Sequence, residues 1–198
     1  SDAVLTAPLL ETRPFPGAGN LLVHAGLCGG RSYAALEVFF REVGTQILGA
    51  EQVSSCYSAM LEAAEKVADG SGGVVCSPFF TGTRSDPQLR ASWSGLSPEN
   101  LTPGHLTRAL LEGMASTFAG SGHLIFETTG HTATHVVGAG NGLRENRLLA
   151  SLVAHAFDLP MVVACYREEA GLGAALVAAA GVGICDDLQH ASQAVRDG

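Results

Sequence analysis

Residues with chemical potential cluster where short apolar runs end in glycine. Val136-Val137 leads into Gly138-Ala139-Gly140-Asn141-Gly142, and Leu143-Arg144-Glu145-Asn146-Arg147-Leu148-Leu149 follows at helical spacing. A glycine turn between a strand and a helix lets a ligand lie against bare backbone, while the first helical turn offers N–H groups without intrahelical partners. Such a turn can cradle a nucleotide or be a purely structural tight turn, and spacing alone leaves both readings open. The dinucleotide fingerprint is absent, because Leu143 stands where its third glycine belongs and no acidic residue follows ~20 positions on at a strand end. A P-loop is excluded by the lack of a GK[ST] triplet. A second glycine turn, Gly26-Leu27-Cys28-Gly29-Gly30, closes the apolar run that begins at Leu21.

Other residues invite chemistry and also have plainer readings. His131 and His135 have the i, i+4 spacing of a zinc pair on a helix. No Glu follows His131, however, and Thr132 and Thr134 favour a strand, so a surface or strand-edge pair is the preferred reading. Cys28 beside Gly29 could carry a depressed pKa at a helix start, but a small buried hydrophobe is the preferred role. Asp86 precedes Pro87 and reads as a turn former rather than a base. Arg84 and Arg90 could meet a phosphate or brace their own loop. Glu168-Glu169 is explained by the helix dipole alone, and Tyr33 and Trp93 are isolated aromatics with no stacking platform.

The elements that must position these residues alternate in type. The run from Leu21 to Leu27 reads as a strand and Ser32 to Val43 as a helix. From Glu51 to Ala68 the stripe Val53, Tyr57, Met60, Leu61, Ala64 and Val67 predicts a helix that Asp69-Gly70-Ser71-Gly72-Gly73 ends. Gly73 to Ser77 reads as a strand, and Pro78 to Pro98 as a long polar loop of the kind that carries function. Thr102-Pro103 caps a helix bearing Leu106, Leu110, Leu111, Met114 and Phe118, which Gly120-Ser121-Gly122 interrupts. Thr134 to Val137 is a strand, Leu143 to Phe157 a helix, Leu159 to Val163 a strand, and Glu168 to Gly181 a helix of small residues. Alternating strands and helices predict one α/β domain with ligands at the carboxyl ends of the strands.

Composition agrees with that picture. In 198 residues, 46% apolar and 15% charged side chains suffice for one core. A net charge of −8 disfavours a nucleic-acid or anionic-membrane partner. The longest small-residue apolar run, Gly171 to Cys185, falls short of the ~20 residues of a membrane span. Neither a signal-peptide pattern nor a cysteine framework is evident, which predicts a cytoplasmic protein. Glycine, 25 of the 198, is well above the ~7% of ordinary proteins, and much of it lies in the turns.

Three stretches in order resemble the last third of the FGGY carbohydrate kinases: Gly140-Asn141-Gly142 leading to Asn146-Arg147-Leu148-Leu149, then Ala156 to Val163, then Glu169-Ala170-Gly171-Leu172-Gly173-Ala174-Ala175. Upstream, Pro78 to Pro87 resembles the family's loop of Pro, Gly and Arg, and Gly26 to Gly30 its earlier glycine turn. Thr102 to Leu110 and Val136 to Gly140 look most like the sedoheptulokinase branch. The resemblance, from about Ala3 to Gly183, implies an α/β ribonuclease-H-like or actin-like ATPase domain with a mixed sheet flanked by helices. It also implies that the chain is the carboxy-terminal ATP-binding domain of a two-domain kinase that uses MgATP and a ketose such as sedoheptulose.

Carried over by position, Gly140 and Asn141 would form the turn under the nucleotide, approached through Gly138, and Asn146 would stand beside the adenine. Glu145 neighbours it, and Gly29 and Gly30 would face the nucleotide from the opposite side. The family's catalytic Asp would lie upstream, at the junction between the two domains, and its amino-terminal phosphate turn and sugar-binding domain would be absent from this chain as well. Ser1-Asp2-Ala3-Val4-Leu5-Thr6 resembles the tail of the strand after the second phosphate turn. The resemblance therefore implies no catalytic residue here, no metal ligand, and no kinase turnover by this domain alone. Alternatives from other classes are a non-catalytic actin-like interaction module and a small metal hydrolase using His131 and His135.

Overall fold

The stripe from Leu106 to Phe118 builds the helix around which the other elements pack. A computed structural model describes residues 9–16, 19–27 and 29–196, so Ser1–Thr6 and Cys28 lie outside the described residues. Helix α3 in this order, Pro103–Thr129, runs for 27 residues. Thr102 caps it, its hydroxyl oxygen accepting from the His105 N–H at 3.3 Å, with Pro103 in the first turn where no N–H is needed. Leu110, Leu111 and Met114 are fully buried.

Gly120-Ser121-Gly122 does not interrupt the helix as the sequence suggested. The Ser121 hydroxyl donates back to the Thr117 carbonyl at 2.9 Å, and a Cβ at Gly122 would come within 2.2 Å of the Phe157 ring. Gly122 is therefore a packing notch inside the helix rather than its end. Gly113 serves the same purpose, since a Cβ there would meet the Cys76 carbonyl oxygen at 2.3 Å.

Before α3, strands β1 (Glu11–Pro14) and β2 (Asn20–Val23) pair antiparallel, and α1 (Gly30–Glu42) follows, extended by a π-helical turn over Val43–Ile47. Helix α2 covers Tyr57–Glu65 only. Residues 51–56 are not helical, because the Cys56 N–H is drawn to the buried carboxylate of Glu37 on α1 at 3.1 Å. Met60 and Ala64 of α2 face the core.

Strand β3 (Val75–Ser77) pairs antiparallel with β4 (Ser92–Ser94), which lies inside the stretch expected to be loop. Trp93 holds it there, packing edge-on to Phe80 and donating its indole N–H to the Leu106 carbonyl at 3.1 Å.

The unit that carries the glycine turn is parallel. Strand β5 (Val136–Gly138) pairs with β6 (Met161–Val163), Val136 opposite Met161, and the chain crosses between them through α4 (Asn141–Glu145) and α5 (Arg147–Phe157). Leu149 and Val153 of α5 join the core with α3. Helices α6 (Glu169–Gly181) and α7 (Leu188–Arg196) complete the chain, α6 burying no residue and α7 being unforeseen in the sequence. Strands and helices alternate as expected, while the described strands form three two-stranded sheets, two antiparallel and one parallel, rather than the one mixed sheet expected, because each pairing is only three or four residues long. Among the described residues no helix is long and apolar enough to cross a membrane.

Candidate functional site

Gly138 ends β5 buried, where a Cβ would collide with the Met161 methyl at 2.3 Å. Two residues on, Gly140 has φ +89° and ψ 158°, a conformation essentially confined to glycine. That reversal launches α4, which lasts one turn. The helix expected over Leu143–Phe157 is broken at Asn146, whose backbone leaves the helical region at φ −117° and ψ 89°. Asn146 then caps α5, its side-chain oxygen accepting from the Leu149 N–H at 2.9 Å.

The break has a chemical consequence. Asn146 is 6% exposed, and with its oxygen engaged in the cap, its buried Nδ2 has no hydrogen-bond partner. Leaving a buried donor unsatisfied costs ~1–3 kcal/mol, so such atoms call for an explanation.

The facing wall comes from α1 and α2. Gly29 precedes α1 with extended backbone and no side-chain cap, and Tyr33 follows one turn later. The Tyr33 ring stacks on Tyr57 of α2 at 5.5 Å between centroids and 28° between planes. Its hydroxyl is also buried without a partner, and burial, with Tyr57 adding to it, pushes its pKa up to about 12.

These walls enclose a cavity of about 470 Å³ lined by Gly30, Tyr33, Tyr57, Ser58, Leu61, Asn141, Gly142, Glu145 and Asn146. That volume suits a small ligand. A Cβ at Gly29, Gly30 or Gly142 would meet nothing within 4 Å, so each glycine borders open space. Gly29 and Gly30 also line an adjoining cleft of similar size with Arg31 and the loop Pro78–Arg84. The Ser32 hydroxyl fixes that loop by donating to the Pro78 carbonyl at 2.7 Å.

The structure thus brings Gly30, Asn141, Glu145 and Asn146 around one cavity, with Gly29 beside it, while Gly138 and Gly140 shape the turn without lining it. Tyr33 and Tyr57 were missed. Tyr33 read as an isolated aromatic and Tyr57 as core stripe, and only the approach of α1 to α2 makes them a pair.

Glu169 was also underestimated as a helix-dipole partner. Its carboxylate accepts from the Gly140 N–H at 3.2 Å and from the Arg144 guanidinium, and Arg144 donates to Asn141 Oδ1 at 2.7 Å. The Glu169 carboxyl is held below its usual range by its own backbone N–H first, then by the Gly140 N–H, with Arg144 adding to both.

The remaining candidates resolve locally. Arg84 pairs with Glu11, and Arg90 donates to the Pro87 and Leu89 carbonyls at 2.7 and 2.8 Å. The Asp86 carboxylate accepts from the Gln88 N–H at 3.0 Å, as a turn former does. His131 and His135 are exposed, and among the described residues no group of three His, Cys, Asp or Glu is placed to hold a metal.

Comparison with known proteins matches residues 21–182 to the FGGY family of carbohydrate kinases, C-terminal domain. Sedoheptulokinase of Homo sapiens is 31% identical over 176 residues, covering 87% of this chain and 35% of that protein. The crystal structure of xylulose kinase from Rhodospirillum rubrum aligns with a TM-score of 0.68 at 27% identity, over 88% of this chain and 34% of that one. Plasmodium falciparum glycerol kinase with ADP aligns with a TM-score of 0.61 at 24% identity, over 83% of this chain and 31% of that one. The chain spans about a third of the length of the curated relatives it matches.

Proposed function

The chain belongs to the FGGY family of carbohydrate kinases, and from that premise we propose that it is the nucleotide-holding domain of an ATP-dependent kinase acting on a sugar hydroxyl. Its fold is the α/β, actin-like ATPase domain of that family. One observation carries the proposal: Asn141, Gly142, Glu145 and Asn146 of the glycine turn and Gly30 of the facing wall line one cavity, which Gly30 and Gly142 keep open. A roomy cavity that combines bare glycine backbone, aromatic rings and a few polar side chains suits a small ligand with both a polar and a flat apolar part.

In this proposal Gly140 and Asn141 shape the turn under the nucleotide, and Asn146 stands beside the base. Gly29 and Gly30 leave room for backbone contact from the other side, and Glu145 stands at the exposed rim. Magnesium carried on the phosphates would offset negative charge on the transferred phosphoryl group. The carboxylate that takes the sugar hydroxyl's proton belongs in this proposal to an amino-terminal domain closing over the site, which also reads most of the sugar. A ketose such as sedoheptulose is the proposed acceptor, supported by the 31% identity to the human sedoheptulokinase. A cytoplasmic setting is proposed too, consistent with free thiols at Cys56, Cys165 and Cys185.

Calorimetric titration of the chain with MgADP and MgATP tests the proposal, with Asn146→Ala as control. Saturable binding that the substitution abolishes, without turnover of ketose by this chain, is the expected result. Absence of binding at millimolar nucleotide would favour an interaction module that keeps the fold without using nucleotide.

A further inference from the structure

We infer, resting on the nucleotide reading above, that Glu37 is a positioning residue of the nucleotide cavity: its buried carboxylate on α1 fixes the start of α2 and so holds in place the cavity wall that α2 supplies.

Gly30, Tyr33 and Glu37 stand at i, i+3 and i+7 of α1 and share one face of it. Gly30 borders the cavity, and the Tyr33 ring stacks on Tyr57. Glu37, one turn further on and 5% exposed, accepts from the Cys56 N–H at 3.1 Å through Oε1. Two consecutive residues at the start of α2 are thereby held by residues one turn apart on α1. Tyr57, Ser58 and Leu61 follow directly and line the cavity.

The sequence of α2 does not supply this contact itself. Cys56 is the N-cap residue and makes no side-chain cap. In a capping box a Glu or Gln three positions on reaches back to the N-cap N–H, but that position is Ala59. Glu37 fills the role from another helix, and its negative charge lies near the positive end of α2.

Burying a carboxylate is costly unless it is paired and hydrogen-bonded. The other oxygen of Glu37 is 3.8 Å from Nε of the exposed Arg41, so the Cys56 N–H is the closer partner. Met60 and Ala64 secure the body of α2 in the core, whereas Tyr57 in its first turn is exposed. The Glu37 contact and the tyrosine stack tie that first turn to α1. A wall already in place spares the ligand the cost of ordering it, and apparent affinity falls with the fraction of molecules in which the wall is displaced.

The test is calorimetric titration of MgADP into this chain and into Glu37→Gln, Glu37→Asp and Glu37→Ala, below the thermal midpoint of each. Glu37→Gln keeps the reach and an acceptor oxygen without the charge, whereas Glu37→Asp keeps the charge and is one methylene short. The expected result is an ADP affinity lowered by about 3- to 10-fold in Glu37→Asp and Glu37→Ala, the range of one lost hydrogen bond, and kept within about 2-fold in Glu37→Gln. Hydrogen exchange at the Cys56 amide should quicken in Glu37→Asp and Glu37→Ala and stay near the parent rate in Glu37→Gln. The contrast between Gln and Asp decides the question even where Glu37→Ala does not fold. Lowered thermal midpoints with unaltered ADP affinity would show that Glu37 steadies the fold alone, overturning the assignment while leaving the nucleotide site intact. A loss in Glu37→Gln as large as in Glu37→Asp would overturn it too. Failure of the unsubstituted chain to bind MgADP would overturn the nucleotide reading and the role of Glu37 with it.

Discussion

The carboxylate of Glu169, at the start of α6, accepts a hydrogen bond from the backbone N–H of Gly140 at 3.2 Å. Residues 29 positions apart thereby close the glycine turn from behind, and Arg144 completes the brace by binding both Glu169 and Asn141. The turn is held by tertiary contacts as well as by its own backbone preference.

Substituting Glu169 by Gln should therefore weaken nucleotide binding even though Glu169 does not line the cavity. The pH dependence has a definite sign. Glu169 titrates below its ordinary value of 4.5 when folded, so the ionised form is the stabilising one. Its contribution is complete above the unfolded-state value and is lost as pH falls through the lower, folded-state value. Thermal midpoints of the parent chain and Glu169→Gln, measured from roughly pH 3 to 7, should differ by a constant amount in the upper range. The gap should narrow below about pH 4.5. A gap independent of pH would show that the carboxylate's charge is not what holds the turn.

Alanine at Gly30 and at Gly140 should separate stability from binding. At neither position would the added methyl meet any atom within 4 Å. Gly30 has ordinary helical backbone, so Gly30→Ala should stabilise the fold by ~0.4–1 kcal/mol through the unfolded state. It should nevertheless weaken nucleotide binding, because the methyl enters space the ligand needs. Gly140, at φ +89°, makes any side chain strained, so Gly140→Ala should cost ~1–3 kcal/mol and lower nucleotide affinity as well. Denaturant midpoints and calorimetric affinities of the two variants, measured side by side, check the contrast.

How much of this was legible in the sequence follows from the kind of interaction at each place. The strand–turn–helix units and the Thr102-Pro103 cap rest on local preferences, and periodicity exposed them. Asn141, Glu145 and Asn146 stand in one contiguous motif, so their placement around one turn followed from the sequence. The extent of α3 was not legible: Gly120-Ser121-Gly122 looks like a breaker in one dimension, and Gly122 becomes a notch only when Phe157 is placed against it. Strand β4 was hidden because its register with β3 depends on Trp93 reaching the Leu106 carbonyl. Tyr33, Tyr57 and Glu169 entered the site from three separate helices, and no spacing rule joins positions so far apart.

Away from the cavity, the charged cluster under the α2–β3 connection should obey a different rule from surface ion pairs. Arg108 on α3 is 5% exposed and donates to Glu112 Oε1 at 2.8 Å, to the Val67 carbonyl at 3.3 Å and to Asp69. Glu112 in turn accepts from the Gly70 N–H at 3.0 Å and the Ser71 hydroxyl at 2.8 Å, so one ion pair on α3 fastens the turn that ends α2. Asp69 is 90% exposed at its side chain, and water can replace it, so Asp69→Ala should cost under about 1 kcal/mol. Arg108→Ala removes a buried partner and leaves Glu112 with less compensation, for a loss of about 2–3 kcal/mol. Glu112→Gln keeps the shape of the acceptor and should fall between them. Denaturant unfolding of the three single variants and of the Arg108→Ala, Glu112→Gln double variant checks this ordering. The double variant should be less destabilised than the sum of its parts, because neutralising Glu112 removes the partly buried charge that Arg108→Ala would otherwise strand. Strict additivity would mean that the two side chains fasten the turn independently of each other rather than as one ion pair.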